Sequence, residues 1–403
     1  MNMKRVYVIS AKRTAVGSFL GSLSSVSPAE LGGAVIRNII EESGIDPKNL
    51  DEVVIGNVLP AGHGQGIGRQ AAVAGGVPYE VPAYSLNIIC GSGMKSIISA
   101  YGNIKSGEAN LIIAGGTESM SQAGFVLPAV VRSGHKMSDF KMIDHMIKDA
   151  LTDSFNDYHM GITAENIVEK YGLTREAQDK FSMESQKRAI AAVDSGRFKD
   201  EIVAVEIKTR KGTLIVDQDE YPNRKTTPEI LAKLRPAFKK DGSVTAGNAS
   251  GLNDGASMLL LASEEAVKKY NLKPIAEIIS TGQGGVDPSI MGMGPVPAIN
   301  NALGKLEMKL EDIELLELNE AFAAQSLGVM TELSKQHNVD LNWFSERTNV
   351  NGGAIAIGHP VGASGNRIIT TLIHEMIKRD VKTGLASLCI GGGMGTAVIL
   401  KKI

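Results

Sequence analysis

Short apolar runs alternate along the chain with segments of helical period, and small residues mark most of the joins. Val6-Tyr7-Val8-Ile9 reads as a first strand. Ser27-Pro28-Ala29-Glu30 then forms a capping box with proline at the first helical position, and Gly44 supplies the stop. Val53-Val54-Ile55-Gly56-Asn57 reads as a strand, followed by a helix from Arg69 to Ala74 before Pro78. The run Ser85-Leu86-Asn87-Ile88-Ile89-Cys90 breaks into Gly91-Ser92-Gly93. A helix extends from about Met94 to Ser106, and Leu111-Ile112-Ile113-Ala114 ends in Gly115-Gly116. Strands alternating with helices predict an α/β fold whose parallel sheet is covered on both faces.

The same order returns further on. A strand after Pro274 runs through Ile278-Ile279, a helix follows Pro297, and Ile313–Leu318 forms a strand ending at Asn319. After a glycine-rich loop come a helix from about Ala363 to Lys378 and a strand from Leu385 to Ile390, closed by Gly391-Gly392-Gly393. Between the two similar parts lies a charged, irregular stretch with helical runs near 164–170 and 174–193, the second capped by Thr174. The pattern divides the chain into residues 1–121 (completed by about 252–273), an intervening 122–251, and 274–403.

Composition adds bounds. The 403 residues exceed one ordinary core, and 43% hydrophobic residues, 45 glycines and only 4% aromatics fit a turn-rich α/β protein. A net charge of −2 gives no general attraction to nucleic acid or an anionic membrane, so an anionic ligand must be held by a few local groups. No secretory leader or membrane-length apolar run is read, and two cysteines fit a reducing compartment, so the expectation is cytoplasmic. No spacing suggests a metal site, no P-loop occurs, and Gly62–Gly68 lacks the strand–helix setting of a dinucleotide fingerprint.

The candidate chemistry concentrates where apolar runs meet glycines. Cys90 and Cys389 both end such runs, where backbone amides can approach a ligand closely, and a helix starting after Cys90 would favour its thiolate. His359 lies in Asn351–Gly365, a glycine-lined loop fixed by Pro360. A nucleophilic thiol, a base and a second thiol point to covalent chemistry on a thioester.

Asn87-Ile88-Ile89-Cys90-Gly91-Ser92-Gly93, Asn319-Glu320-Ala321-Phe322-Ala323, the His359 loop and the Cys389 loop occur in the order found in the thiolases. The chain resembles that family end to end, closest to its biosynthetic acetyl-CoA acetyltransferase branch. The resemblance implies two duplicated βαβ-rich halves stacked as five layers, αβαβα, with 122–251 as a loop domain covering coenzyme A. It implies acyl transfer through Cys90 with His359 as its base and Cys389 as the second acid/base. One oxyanion hole would use His359 and a water on Asn319, the other the N–H groups of Cys90 and Gly391.

Coenzyme A is implied as substrate and product, with no permanently bound cofactor. Ser250, Ala246 and Gly251 would line its pantetheine, Leu234 and Phe238 would flank it, and His159, Met160, Met291 and Phe322 would close the acyl pocket. Partners implied are acetyl-CoA and acetoacetyl-CoA, with assembly as a homodimer or homotetramer. A degradative 3-ketoacyl-CoA thiolase of broader chain length is the alternative. A non-catalytic lipid-binding relative is a distant one, since all four reactive positions are intact. Paired cysteines argue against a β-ketoacyl synthase, and two thiols in one pocket raise the prospect of an oxidative disulfide.

Overall fold

A computed structural model describes residues 4–403; Met1–Met3, on which part of the leader reading rests, lie outside the described residues. The main strands are β1 (Val6–Thr14), β2 (Glu52–Gly56), β3 (Ala83–Leu86), β4 (Leu111–Ser119), β5 (Asn253–Ser263), β6 (Ala276–Gly285), β7 (Leu315–Leu318), β8 (Thr383–Ile390) and β9 (Met394–Lys402). The helices that matter for the site are α1 (Pro28–Ser43), α2 (Ile67–Ala74), α3 (Ser92–Ser106), α4 (Met160–Tyr171), α5 (Arg175–Asp194), α6 (Pro295–Gly304), α7 (Ala323–His337) and α8 (Val361–Arg379).

The strands follow one path, β7-β8-β9-β6-β1-β5-β4-β2-β3. Its two arms mirror each other. From the centre outward, β1, β5, β4 and β2 in the first half correspond to β6, β9, β8 and β7 in the second. A parallel bridge between Leu316 and Thr348 takes the place that β3 holds beside β2. The sheet is mixed rather than parallel: β2 pairs parallel with β3 and β4, and β7 with β8, but the pairs through β5, β9 and the β1–β6 joint are antiparallel. The antiparallel strands that change the topology are β5 and β9. No helix-crossover signal announces them in the sequence, and β5 begins two residues after Gly251, one of the residues read as lining the pantetheine.

Three apolar cores give five layers. One packs α1 and α2 on the outer face of the first arm, and another packs α6 and α7 on the second. The central core, including Met94, Ile97, Ile368, Leu372, Leu388 and Val398, joins α3 and α8 to strands of both arms. α8 is buried on every side from Val361 to Ile373, which suits a helix held between two sheets. Its Gly362-Ala363-Ser364-Gly365 start lets it meet α3 closely. A Cβ on Gly93 would lie 2.8 Å from the Gly362 carbonyl oxygen, and one on Gly365 would lie 2.5 Å from the Met94 nitrogen. The first turns of the two helices therefore touch, and the loops that precede them share one space.

Residues 122–251 hold α4 and α5, a hairpin at Val205–Thr209 and Gly212–Val216, and a short strand, Ile202–Val203, that pairs with Arg13–Thr14 at the centre of the main sheet. This region is sewn in by a buried ion cluster, with Arg13 donating to Glu201 at 2.6 Å and to Asp219 at 2.7 and 2.9 Å. No helix among the described residues is long and apolar enough to cross a membrane.

Candidate functional site

Cys90 sits on a tight turn between β3 and α3. Asn87 Oδ1 accepts the Ile89 N–H at 2.9 Å, and Ser92 Oγ accepts from the Ile88 N–H while donating to the Ile89 carbonyl. These bonds hold Ile89 at φ +50°, in the left-handed region that a β-branched residue rarely enters. That strain was not legible in the sequence. Cys90 keeps an accessible edge, and its sulfur meets its own N–H and that of Gly391.

Cys389 is buried at the end of β8, close enough to Cys90 for their charges to interact, and both cysteines are free thiols. The turn after it is tight: Gly392 and Gly393 have φ +83° and +85°, and a Cβ on Gly393 would lie 2.2 Å from the Val286 carbonyl oxygen. Gly391 is different, since a Cβ there would make only ordinary contact with Ile89 and Met160. Its contribution is the N–H that points to Cys90.

His359 precedes α8. Asn253 Oδ1 accepts its backbone N–H at 2.8 Å, and Asn253 Nδ2 donates to the Gly17 carbonyl at 3.0 Å. His359 Nδ1 lies 2.6 Å from Ser364 Oγ, and that hydroxyl donates its proton to the Pro360 carbonyl at 2.9 Å. The network therefore assigns the ring proton to Nδ1 and leaves Nε2, which has no protein partner, as the bare lone pair. Asn319, at the end of β7, is buried with its N–H bonded to the Ser387 carbonyl, and neither of its amide side-chain atoms has a partner. Orphaned polar atoms in a buried pocket are the donors and acceptors a reacting molecule would use. Sequence reasoning reached Asn319 and His359 but not Ser364 or Asn253, which read as ordinary small polar residues.

Burial pushes the Cys90 thiol up to about 11 against the pull of the two N–H groups. It pushes Cys389 up further, with Cys90 adding to the shift. Burial, then Arg367, holds His359 down at about 4. The expected helix-start preference for thiolate is thus outweighed by desolvation in the free protein. At neutral pH the site therefore holds two neutral thiols and a neutral imidazole.

The intervening region closes one side of the site. His159 stacks on Phe238 with ring centres 4.6 Å apart, and Phe238 meets Phe322 edge to face at 6.2 Å. Met160, Met291, Phe322 and Cys389 share one apolar cluster with Phe238 against it. The Ser250 N–H donates to the Ala321 carbonyl, and Ala249 bridges Phe322, so residues 249–250 run along the Asn319 loop. Leu234 packs on Gly247, Gly251 faces the ring of Tyr221, and Ala246 is exposed. Tyr221 was not singled out from sequence. Arg224 is paired with Asp194. Among the described residues no group of His, Cys, Asp and Glu could hold a metal.

Comparison with known proteins agrees over the whole chain. The family models described as Thiolase, N-terminal domain and Thiolase, C-terminal domain match residues 6–265 and 272–402. An acetyl-CoA acetyltransferase of Pseudomonas aeruginosa is 54% identical over 401 residues, covering 99% of this chain and 100% of its own. One from Rhizobium meliloti is 52% identical over 403 residues, with both chains covered fully. Among solved structures, the Bacillus anthracis acetyl-CoA acetyltransferase superposes with TM-score 0.95 at 42% identity, covering 100% of this chain and 99% of its own. Human mitochondrial 3-ketoacyl-CoA thiolase in complex with CoA superposes with TM-score 0.93 at 42% identity, covering 99% and 98%.

Proposed function

The chain belongs to the thiolase family, and we propose that it is an acetyl-CoA acetyltransferase, condensing two acetyl-CoA to acetoacetyl-CoA and CoA and running the reverse thiolysis as mass action dictates. The observation that carries this reading is the meeting of Cys90, Cys389 and the Gly391 N–H in a full-length relative of enzymes so named.

In the forward direction, His359 Nε2 takes the Cys90 proton, the sulfur attacks the acetyl-CoA carbonyl, and the C–S bond to CoA breaks. Cys389 gives its proton to the departing CoA thiolate and is left as the thiolate, while His359 keeps the proton of Cys90. Attack on a thioester needs little leaving-group activation, so the nucleophile can be a thiol whose resting pKa is high. A second acetyl-CoA then loses a methyl proton to Cys389 as thiolate. The resulting carbanion attacks the acetyl carbon, and Cys90 leaves, taking its proton back from the His359 imidazolium. The Cys90 and Gly391 N–H groups carry the oxyanion on the acetylated side, and Asn319 with His359 carries the enolate, each good donor contributing about 3–4 kcal/mol. Cys389 resists ionisation when the site is free. Thioester binding beside Asn319 and His359 makes the methyl proton acidic enough to meet it.

His159, Phe238, Met160, Met291 and Phe322 bound a small apolar space for the acyl group, and 246–251 with Leu234 takes the pantetheine arm. The free thiols support a reducing, cytoplasmic setting. The open sheet edge at β3, with Tyr84 exposed, supports a homo-oligomer, a dimer or tetramer. Sedimentation velocity of the purified chain checks that assembly. The function is tested by CoA-dependent thiolysis of acetoacetyl-CoA beside a long-chain 3-ketoacyl-CoA, with Cys90→Ala as blank. Preference for acetoacetyl-CoA, lost in the blank, is the expected result. Equal or better long-chain turnover would move the protein to the degradative class.

A further inference from the structure

Glu118, at the end of β4, is fully buried, and no lysine or arginine bonds it. Four uncharged N–H groups do. Oε1 accepts from Asn57 Nδ2 at 2.9 Å and the Leu59 amide at 3.1 Å, while Oε2 accepts from the Val58 amide at 2.9 Å and the Gly362 amide at 3.0 Å. These donors come from two places that the reaction needs held together. Val58 and Leu59 form part of the wall on which Cys90 packs, and Gly362 lies in the first turn of α8, three residues after His359. The fit is close, since a Cβ on Gly362 would lie 2.4 Å from Oε2.

We propose that Glu118 is a positioning residue of the transfer reaction, which as a carboxylate clamps the start of the His359 helix to the wall beneath Cys90 and so fixes base against nucleophile. This role rests on the function proposed above. Both oxygens must accept, because each faces two donors, so a neutral amide cannot replace the carboxylate without turning an NH2 group against N–H groups. The charge is favoured by the N-terminus of α8 and by the four donors. It is opposed by burial and by Asp254 on the adjacent β5, which together leave Glu118 raised to about 7. The other titratable group that feels it is Cys90, whose ionisation the carboxylate opposes. The first turn of α8 carries no titratable residue, and Lys95 on the first turn of α3 is bonded to Gln283.

Glu118→Gln is tested for turnover and for the pH dependence of Cys90 alkylation by iodoacetamide, which needs no substrate. Expected are a kcat lower by about tenfold or more, a KM for CoA within about twofold, and an alkylation midpoint moved to lower pH because the nearby negative charge is gone. A kcat within about twofold of wild type overturns the proposal. So does a parallel loss of kcat and CoA affinity with the alkylation midpoint unmoved, which is what a merely structural residue would give. If that variant does not fold, Asn57→Ala removes one donor and leaves the carboxylate. A kcat loss of about three- to tenfold at unchanged KM supports the clamp, and unchanged kcat overturns it. A wild-type protein that turns over no acetoacetyl-CoA sinks the functional reading instead, and the alkylation profiles still decide the role of Glu118.

Discussion

Ser364→Ala tests the assignment of His359 as a base with its lone pair on Nε2. The hydroxyl accepts the Nδ1 proton at 2.6 Å and passes its own proton to the Pro360 carbonyl. Pro360 tolerates the loss, because its carbonyl also accepts the Ala363 and Ser364 amides at 2.9 Å each. His359 does not. Its buried Nδ1–H is left without an acceptor, at a cost of about 1–3 kcal/mol. The ring can avoid that cost by moving the proton to Nε2, but then the nitrogen proposed as the base no longer accepts. Either route charges the same interval to the acylation step, a loss of about 5- to 150-fold in kcat/KM. The assay is thiolysis of acetoacetyl-CoA, with the rate of acetyl-Cys90 formation followed by quenched-flow mass analysis. Thermal stability should fall by no more than that same cost of about 1–3 kcal/mol, since the substitution leaves no large cavity and every backbone group keeps a partner. A kcat/KM within about twofold of wild type would refute the tautomer and with it the role given to Ser364.

Other expectations follow from the same geometry. Iodoacetamide alkylation of Cys90 in the free enzyme should climb about tenfold per pH unit from pH 7 to 10, because the thiol is held up to about 11 and only its thiolate reacts; a plateau below pH 8 would contradict that. Gly393→Ala should cost about 2 kcal/mol or more in urea unfolding, since it combines φ +85° with a Cβ 2.2 Å from a carbonyl oxygen, whereas Gly391→Ala should fold normally and keep measurable turnover. Met160→Ala should raise turnover of longer 3-ketoacyl-CoA substrates relative to acetoacetyl-CoA by opening the cluster beside Cys389, at a stability cost of about 2–5 kcal/mol. An unchanged chain-length ratio would remove Met160 from the acyl pocket.

What could be read from sequence followed from local chemistry. The α1 cap is one example: Ser27 and Glu30 exchange both capping bonds, and Gly44 ends the helix at φ +66°. Cys90, His359 and Cys389 stood out because three glycine-bordered motifs, each with one reactive side chain, occur together and in the order found in the thiolases. β5 was not, because its Asn253-Asp254-Gly255-Ala256 start has the composition of a turn and becomes strand only between β1 and β4. Mixed pairing escaped for the same reason: alternation shows that strands exist, not which neighbours they find. Nor do Glu118, Asn253 and Ser364 carry a sequence signal. Each matters through partners more than a hundred residues away or through one hydroxyl whose use depends on the ring beside it.

The central layer of α3 and α8 has a mechanical consequence. Cys90 precedes one helix and His359 the other, and each belongs to a different half of the chain. Neither half holds a complete reaction centre, so the working distance between thiol and imidazole is a property of how the halves seat on each other. A slip along the α3–α8 contact would change that distance, and the glycines that let these helices touch leave no side chains there to cushion it. The dense core shared by both sheets acts as a bearing with no play, and loosening it anywhere along its length should slow the chemistry before it unfolds the protein.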